Sequence, residues 1–185
     1  RVVDHLSARG ADALLDGYAA PVLDATSSGG IRALFVDSPE LLGELPFTTA
    51  FIPEFTARVG YDPTPWLPLL FRAGGESKYG TMLDVFGRLG GPLYATPDPD
   101  QAVRVREDYE AVRAALFEER FVGRLLQRAH EGGLRLRLQA HGGWADYLDT
   151  YALADVPESE GLFAGGSFDF LTLAASAAHV AGRPV

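Results

Sequence analysis

The sequence predicts an α/β fold: a (β/α)8 TIM-type barrel, of which this chain covers about half, from the end of the third strand to the start of the seventh. Two observations predict it. Strand-like and helix-like segments run in the order strand, helix, strand, helix, strand, strand, helix, incipient strand, and strands joined by helical crossovers make a parallel sheet. No strand leads into G-x-G-x-x-G or G-x-x-x-x-G-K-[ST], the phosphate loops that mark many doubly wound sheets. "RAGGES" and "RLGGP" follow no strand and read as ordinary loops. About 250 residues make a whole barrel, against 185 here.

The elements follow in order. "RVVDHLS" opens as the last residues of a strand, and Ser7 caps a helix with apolar positions Ala11, Leu14, Leu15, Tyr18 and Val22. Pro21 kinks or ends it, because proline has no N–H to donate. "SSGG" is a turn and "IRALFV" a short apolar strand. A long insertion runs from about residue 41 to 96, with short helices near "PEFTARVG" and "TMLDVFGRL". The clearest helix begins at "DPDQ", with Asp98 as cap, Pro99 at the first position and Gln101 as capping-box partner. Its buried stripe is Tyr109, Val112, Leu116, Phe117, Phe121, Leu125 and Ala129, and Gly132 and Gly133 stop it. "LRLRLQAH" alternates strictly as a strand, "ALADVPE" is a shorter strand, and "FDFLTLAASAAHV" is the last helix. An opening and a close inside core elements mark a piece of a longer protein.

Composition excludes more than it identifies. The formal net charge of −9 argues against nucleic acid or an anionic membrane surface as partner. There is no cysteine, hence no disulfide or thiolate chemistry. No apolar run approaches the roughly 20 residues of a membrane span. Lys78 is the only lysine, a bias that fits a GC-rich bacterial genome.

The functional signal is at the strand ends, where a barrel carries its chemistry. The first ends in Asp4 and His5, the second in Asp37 and Glu40, the third in Gln139 and His141, the fourth in Asp155 and Glu158. Such a ring of acids, imidazoles and an amide suits a polyhydroxylated ligand and acid–base work. Taken singly, an Asp at a strand end is more often a turn residue. Glu is not a turn residue, and Glu40 follows Pro39 while Glu158 follows Pro157. In "LRLRLQAH" the leucines face helices, so Arg135 and Arg137 are expected to face the barrel interior and to need a partner such as Asp37 or Asp155. The insertion is rich in aromatics; its phenylalanines read as a small core, and Tyr61 and Trp66 as candidate sugar-stacking residues.

"VVDHLS", "RALFVDSPEL", "FTARVGYDPTPWLPLLF", "LRLRLQAHG", "YALADVPESE" and "SAAHVAGRPV", in this order, resemble the catalytic barrel of glycoside hydrolase family 106, the α-L-rhamnosidases. The similarity runs along almost the whole chain and is weakest between about Arg72 and Thr96. The resemblance implies a multidomain, secreted or periplasmic bacterial enzyme that acts on a carbohydrate by an inverting mechanism, helped by a calcium ion. It places the general acid on Glu40 and a calcium- and sugar-binding position on Glu158. It puts the general base beyond Val185, so the remaining domains of the parent chain are partners of this one. Asp4, His5, Asp37, Gln139, His141 and Asp155 are then the expected substrate-binding residues. The chain departs from the family's pattern at His141, where Tyr is frequent, and at Ser159, where Gly is. Two alternatives stay open: a retaining glycosidase that uses Glu40 and Glu158 as its pair, and a non-catalytic carbohydrate-binding barrel.

Overall fold

The computed structural model describes residues 3–25, 30–41, 45–71 and 93–183. They fall into two compact units, one of Arg1–Glu40 with Ala115–Val185, the other of Leu41–Ala114.

The first unit opens with the helix that Ser7 caps: its Oγ accepts the N–H of Gly10 at 3.1 Å. Helix α1 (Ala8–Leu14) runs through a π-helical stretch, Leu15–Ala19, into α2 (Ala20–Ala25). Pro21 therefore does not end the helix. A wider turn just before it accommodates the missing donor. Of the expected stripe, Ala11 and Leu15 are buried, whereas Tyr18 and Val22 are exposed.

Three strands follow: β1 (Ala33–Val36), β2 (Arg135–Leu138) and β3 (Val156–Pro157). They pair in parallel in the order β1-β2-β3, with Leu34 opposite Leu136 and Leu138 opposite Pro157. Strand β2 alternates as its sequence demands. Leu136, Leu138 and Ala140 are buried, and Arg135 and Arg137 are exposed on the other face.

The long helix begins at its expected cap. Asp98 Oδ1 accepts the N–H of Asp100 at 3.1 Å, and α4 runs over Pro99–Leu116. A π-helical stretch, Phe117–Val122, and α5 (Gly123–Glu131) continue it. Tyr109, Val112, Leu116, Phe117, Phe121, Leu125 and Ala129 are all buried, as a 3.6-residue period requires. The boundary between the two units falls within α4. In the first unit, α6 (Tyr147–Leu153) and α7 (Phe168–Val180) pack Tyr151, Ala174 and Ala177 against Ala140 at the end of β2.

The second unit holds α3 (Phe51–Val59) and a 3-10 helix, Thr64–Leu70. Its core is aromatic. Phe51 lies 4.6 Å from Phe47 and 5.1 Å from Tyr109, centroid to centroid, and Phe51 and Phe55 are fully buried. Tyr61 donates its hydroxyl to Asp108 at 2.9 Å and meets Phe55 edge-on. Burial, with the Asp108 carboxylate beside it, pushes that phenol up to about 12. Tyr61 is half-buried, its hydroxyl engaged by Asp108 and its ring by Phe55, and Trp66 is half-buried in the 3-10 helix. The helix expected near "TMLDVFGRL" lies outside the described residues.

The expected barrel is corrected. The described residues are mostly helical, and their strands make one three-stranded parallel sheet. Among the described residues, three strands do not close on themselves, and closure demands far more. Two segments read as strand are strand only in part, or not at all, among the described residues. Val3 to His5 belong to no strand, because Asp4 Oδ1 takes the N–H of Leu6 at 2.9 Å in a local turn. Ala152 and Leu153 finish α6, because Asp146 caps it by accepting the N–H of Leu148 at 2.8 Å. The incipient last strand, at residues 184–185, lies outside the described residues.

Candidate functional site

Strand polarity brings three of the four expected strand ends to one side of the sheet. The ladder extends one residue past each strand: the N–H of Gln139 bonds Val36 O at 3.0 Å, and that of Glu158 bonds Leu138 O at 2.9 Å. Asp37, Gln139 and Glu158 therefore start three adjacent loops at the carboxyl edge.

Glu158 is the hub of that edge. One carboxylate oxygen accepts Arg137 Nε, and the other accepts Gln139 Nε2 at 3.1 Å. The Arg137 guanidinium also lies over the Phe35 ring, 5.0 Å from its centroid. Arg137 was expected to pair with Asp37 or Asp155, and it pairs with Glu158. Period-two alternation puts residues 135, 137 and 139 on one face, and the parallel register sets Arg137 beside Val156, within reach of the residue two further on. Gln139 is only 5% exposed, and its Oε1 has no hydrogen-bond partner among the described residues. A buried carbonyl oxygen in that state favours a donor arriving from outside, such as a hydroxyl.

Glu40 is the conformational outlier. It is the one non-glycine described residue with positive φ, at 43°. A left-handed backbone costs a residue with a Cβ about 1–2 kcal/mol, and it persists where the surroundings over-determine it. Those surroundings are the loop after β2. A Cβ at Gly142 would come within 2.9 Å of both Glu40 N and Glu40 Cα. Asp37 is exposed, and its Oδ1 accepts the N–H of Ser38 at 2.9 Å.

His141 lies deeper. It is fully buried, with Nδ1 3.5 Å from Tyr151 Oη and Nε2 3.7 Å from Glu160 Oε1. Phe170 packs edge-on against its ring. Burial raises the Tyr151 phenol above its usual range. His5 packs against Phe121 at 4.6 Å with the rings tilted by 50°, and meets Trp144 edge-on at 6.2 Å. Burial, the largest influence, lowers its imidazole below the usual range. Asp4 is exposed and serves the local turn.

Asp155 is corrected in place. It precedes β3 rather than ending it, and its Oδ2 accepts the N–H of Leu136 at 2.8 Å. It therefore sits at the opposite edge of the sheet from Glu158, paired with His130 at 2.7 Å and Arg183 at 3.2 Å. Burial would raise its carboxyl, but the Leu136 N–H, His130 and Arg183 outweigh it and hold the carboxyl low.

A calcium ion takes about 6–8 oxygen ligands. No group of three or more His, Asp and Glu side chains that could hold a metal occurs among the described residues, and both oxygens of Glu158 are engaged, one of them by a cation. These residues do not by themselves fit a calcium site.

Sequence reasoning missed Glu118, Gly142, Gly143, Tyr147 and Tyr151. Glu118 accepts the Thr150 hydroxyl at 2.9 Å, and burial, then Asp149 and Asp146, push its carboxyl up. The glycine pair in "HGGW" was the one available signal, because adjacent glycines in a loop after a strand mark close backbone approach.

No family model and no curated protein matches the chain. Its fold is similar to the solved structure of a rhamnosidase from Novosphingobium sp. PP1Y, with a TM-score of 0.68 and 24% sequence identity over 97% of this chain. The chain spans 16% of that structure's length, and the likeness is one of fold.

Proposed function

We propose that this chain is a segment of a glycoside hydrolase acting on α-L-rhamnosides, and that Glu40 is its general acid. The observation that carries the reading is Glu40 itself: a carboxylic acid held in a left-handed backbone at the carboxyl edge of a parallel sheet. The likeness of fold to a rhamnosidase supports the substrate class.

The chemistry follows from the bond to be broken. A glycosidic oxygen leaves as an alkoxide unless a proton reaches it, and Glu40 delivers that proton. Inversion requires a second carboxylate, about 6.5–9.5 Å away, that activates water on the opposite face. That base is supplied from outside this chain. Gln139 Oε1 accepts a sugar hydroxyl, and Glu158 with Arg137 fixes the Gln139 amide in the orientation that leaves Oε1 available. Asp37 takes a further hydroxyl. Buried His141 and half-buried His5 shape the floor. No step runs through calcium.

The test is Glu40→Gln in the full-length protein. Hydrolysis of alkyl rhamnosides falls by about 100- to 10,000-fold, the range for losing a general acid. Aryl rhamnosides with acidic phenols lose far less, since they depart unprotonated. Equal loss on both substrate types sinks the assignment. Azide rescue of Glu158→Ala, giving a glycosyl azide, would instead mark a retaining enzyme with Glu158 as nucleophile. Binding of rhamnosides without turnover would mark a non-catalytic module.

A further inference from the structure

We propose that Gly142, anchored by Tyr147, is a positioning residue that sets the backbone of Glu40; this rests on the reading of Glu40 as the acid. Gly142 has φ 80°. The position of its absent Cβ lies 2.9 Å from Glu40 N, 2.9 Å from Glu40 Cα and 3.5 Å from Glu40 Cγ. Contacts under 3.0 Å to backbone cannot be relieved by turning a side chain, so any larger residue at 142 must move Glu40 or be moved by it.

Retreat is blocked on the other side. At Gly143 a Cβ would stand 2.9 Å from Phe117 Cε1 and 3.2 Å from Ala140 O. Phe117 is 1% exposed, so its ring has no free volume to enter. The glycine pair is wedged between the acid's backbone and the core. The N–H of Gly142 donates to Tyr147 Oη at 3.3 Å, and the Tyr147 ring meets Phe170 edge-on. The wedge is thereby tied to the packed faces of α6 and α7. An atom pushed into this gap shifts the carboxyl of Glu40 relative to the departing oxygen. Proton transfer requires heavy atoms within about 2.6–3.2 Å, so a displacement approaching 1 Å removes it.

The experiment compares four variants of the full-length protein on an alkyl rhamnoside and on an aryl rhamnoside with an acidic phenol. Gly142→Ala should lose about 10- to 100-fold in kcat on the alkyl substrate, the cost of misplacing a reacting group by an ångström, with a much smaller loss on the aryl substrate. Gly133→Ala is the control: Gly133 has φ 69° with open space at its Cβ, so it carries the same backbone penalty without the contact. It should melt earlier than wild type and show no leaving-group bias. Should Gly142→Ala fail to fold by circular dichroism, Tyr147→Phe decides. It should lose kcat about threefold on the alkyl substrate, the size of a lost neutral hydrogen bond, with the aryl substrate nearly unchanged. A folded Gly142→Ala that loses both substrates equally, or neither, overturns the inference; so does Tyr147→Phe without bias, or a bias in Gly133→Ala. Glu40→Gln separates the two levels. If it shows the bias and folded Gly142→Ala does not, the positioning role alone falls; if it shows no bias, the acid reading falls and this inference with it.

Discussion

Residue identity alone misassigns acids here, because a carboxylate's role depends on which edge of the sheet it reaches. Asp155 and Glu158 are three residues apart and stand at opposite edges. Asp155 anchors the amino edge: it takes the N–H of Leu136 and pairs with His130 and Arg183. Asp155→Ala should destabilise the fold by about 1–3 kcal/mol, the cost of leaving a part-buried donor unsatisfied. The pH dependence has a fixed sign. The carboxyl is held low when folded, so its contribution is complete above the unfolded carboxylate range and is lost as pH falls through the folded value. Melting curves of wild type and variant should differ fully at pH 6–7 and converge only below about pH 4. A difference that grows on acidification would contradict this account. Glu158 and Arg137 show the converse case. Arg137 was expected to need a partner because it would be buried, whereas it is exposed; its pairing with Glu158 was not readable from sequence, because a parallel register decides which neighbour comes within reach.

Period and capping decide the elements. The stripe from Tyr109 to Ala129 is buried throughout, and Asp98 and Ser7 cap as their positions suggest. The π-helical stretches at Leu15–Ala19 and Phe117–Val122 have no such signature; each is a local widening by i→i+5 bonds that shifts the helical phase, and from the first one on the expected stripe is exposed at Tyr18 and Val22. Strand β2 holds the first unit together through one face. Leu136→Ala should cost about 2–5 kcal/mol in urea denaturation, the range for emptying a packed leucine site. Arg135→Ala, on the exposed face, should stay within about 0.5 kcal/mol. Equal costs at the two positions would show that β2 is buried on both faces. The short β3 was overextended from sequence because "ALADVPE" is apolar enough for either state, and the Asp146 cap that draws Ala152 and Leu153 into α6 lies upstream of the run.

At the scale of the whole molecule, the calcium expectation meets a specific obstacle. The Arg137 guanidinium on one Glu158 oxygen opposes a second cation there, and the described residues hold no group of three or more acids and imidazoles that could complete a site. Calorimetric titration of calcium into the chain should give no saturable heat. Binding that does saturate, and that Glu158→Gln weakens, would show that the carboxylate exchanges its guanidinium for the ion. Among the described residues, the first helix and β1 line an apolar cavity of about 520 Å³, with Leu14, Tyr18, Val22, Ile31 and Leu34 in its wall.

Sequence by itself determined the local features: which residues cap helices, which faces of α4, α5 and β2 are apolar, and that Glu40 and Glu158 lie just beyond strand ends. These depend on interactions within a few residues, where period and turn chemistry suffice. Tertiary structure decided what depends on contacts between distant segments. It left Val3 to His5 outside any strand, reduced the expected barrel to a three-stranded sheet among the described residues, moved Asp155 to the opposite edge and gave Arg137 to Glu158. It also set Gly142 against Glu40, a contact between residues far apart in the chain. No local period encodes such a contact, because it arises only when β1 and β2 pair in register and carry their following loops to the same edge.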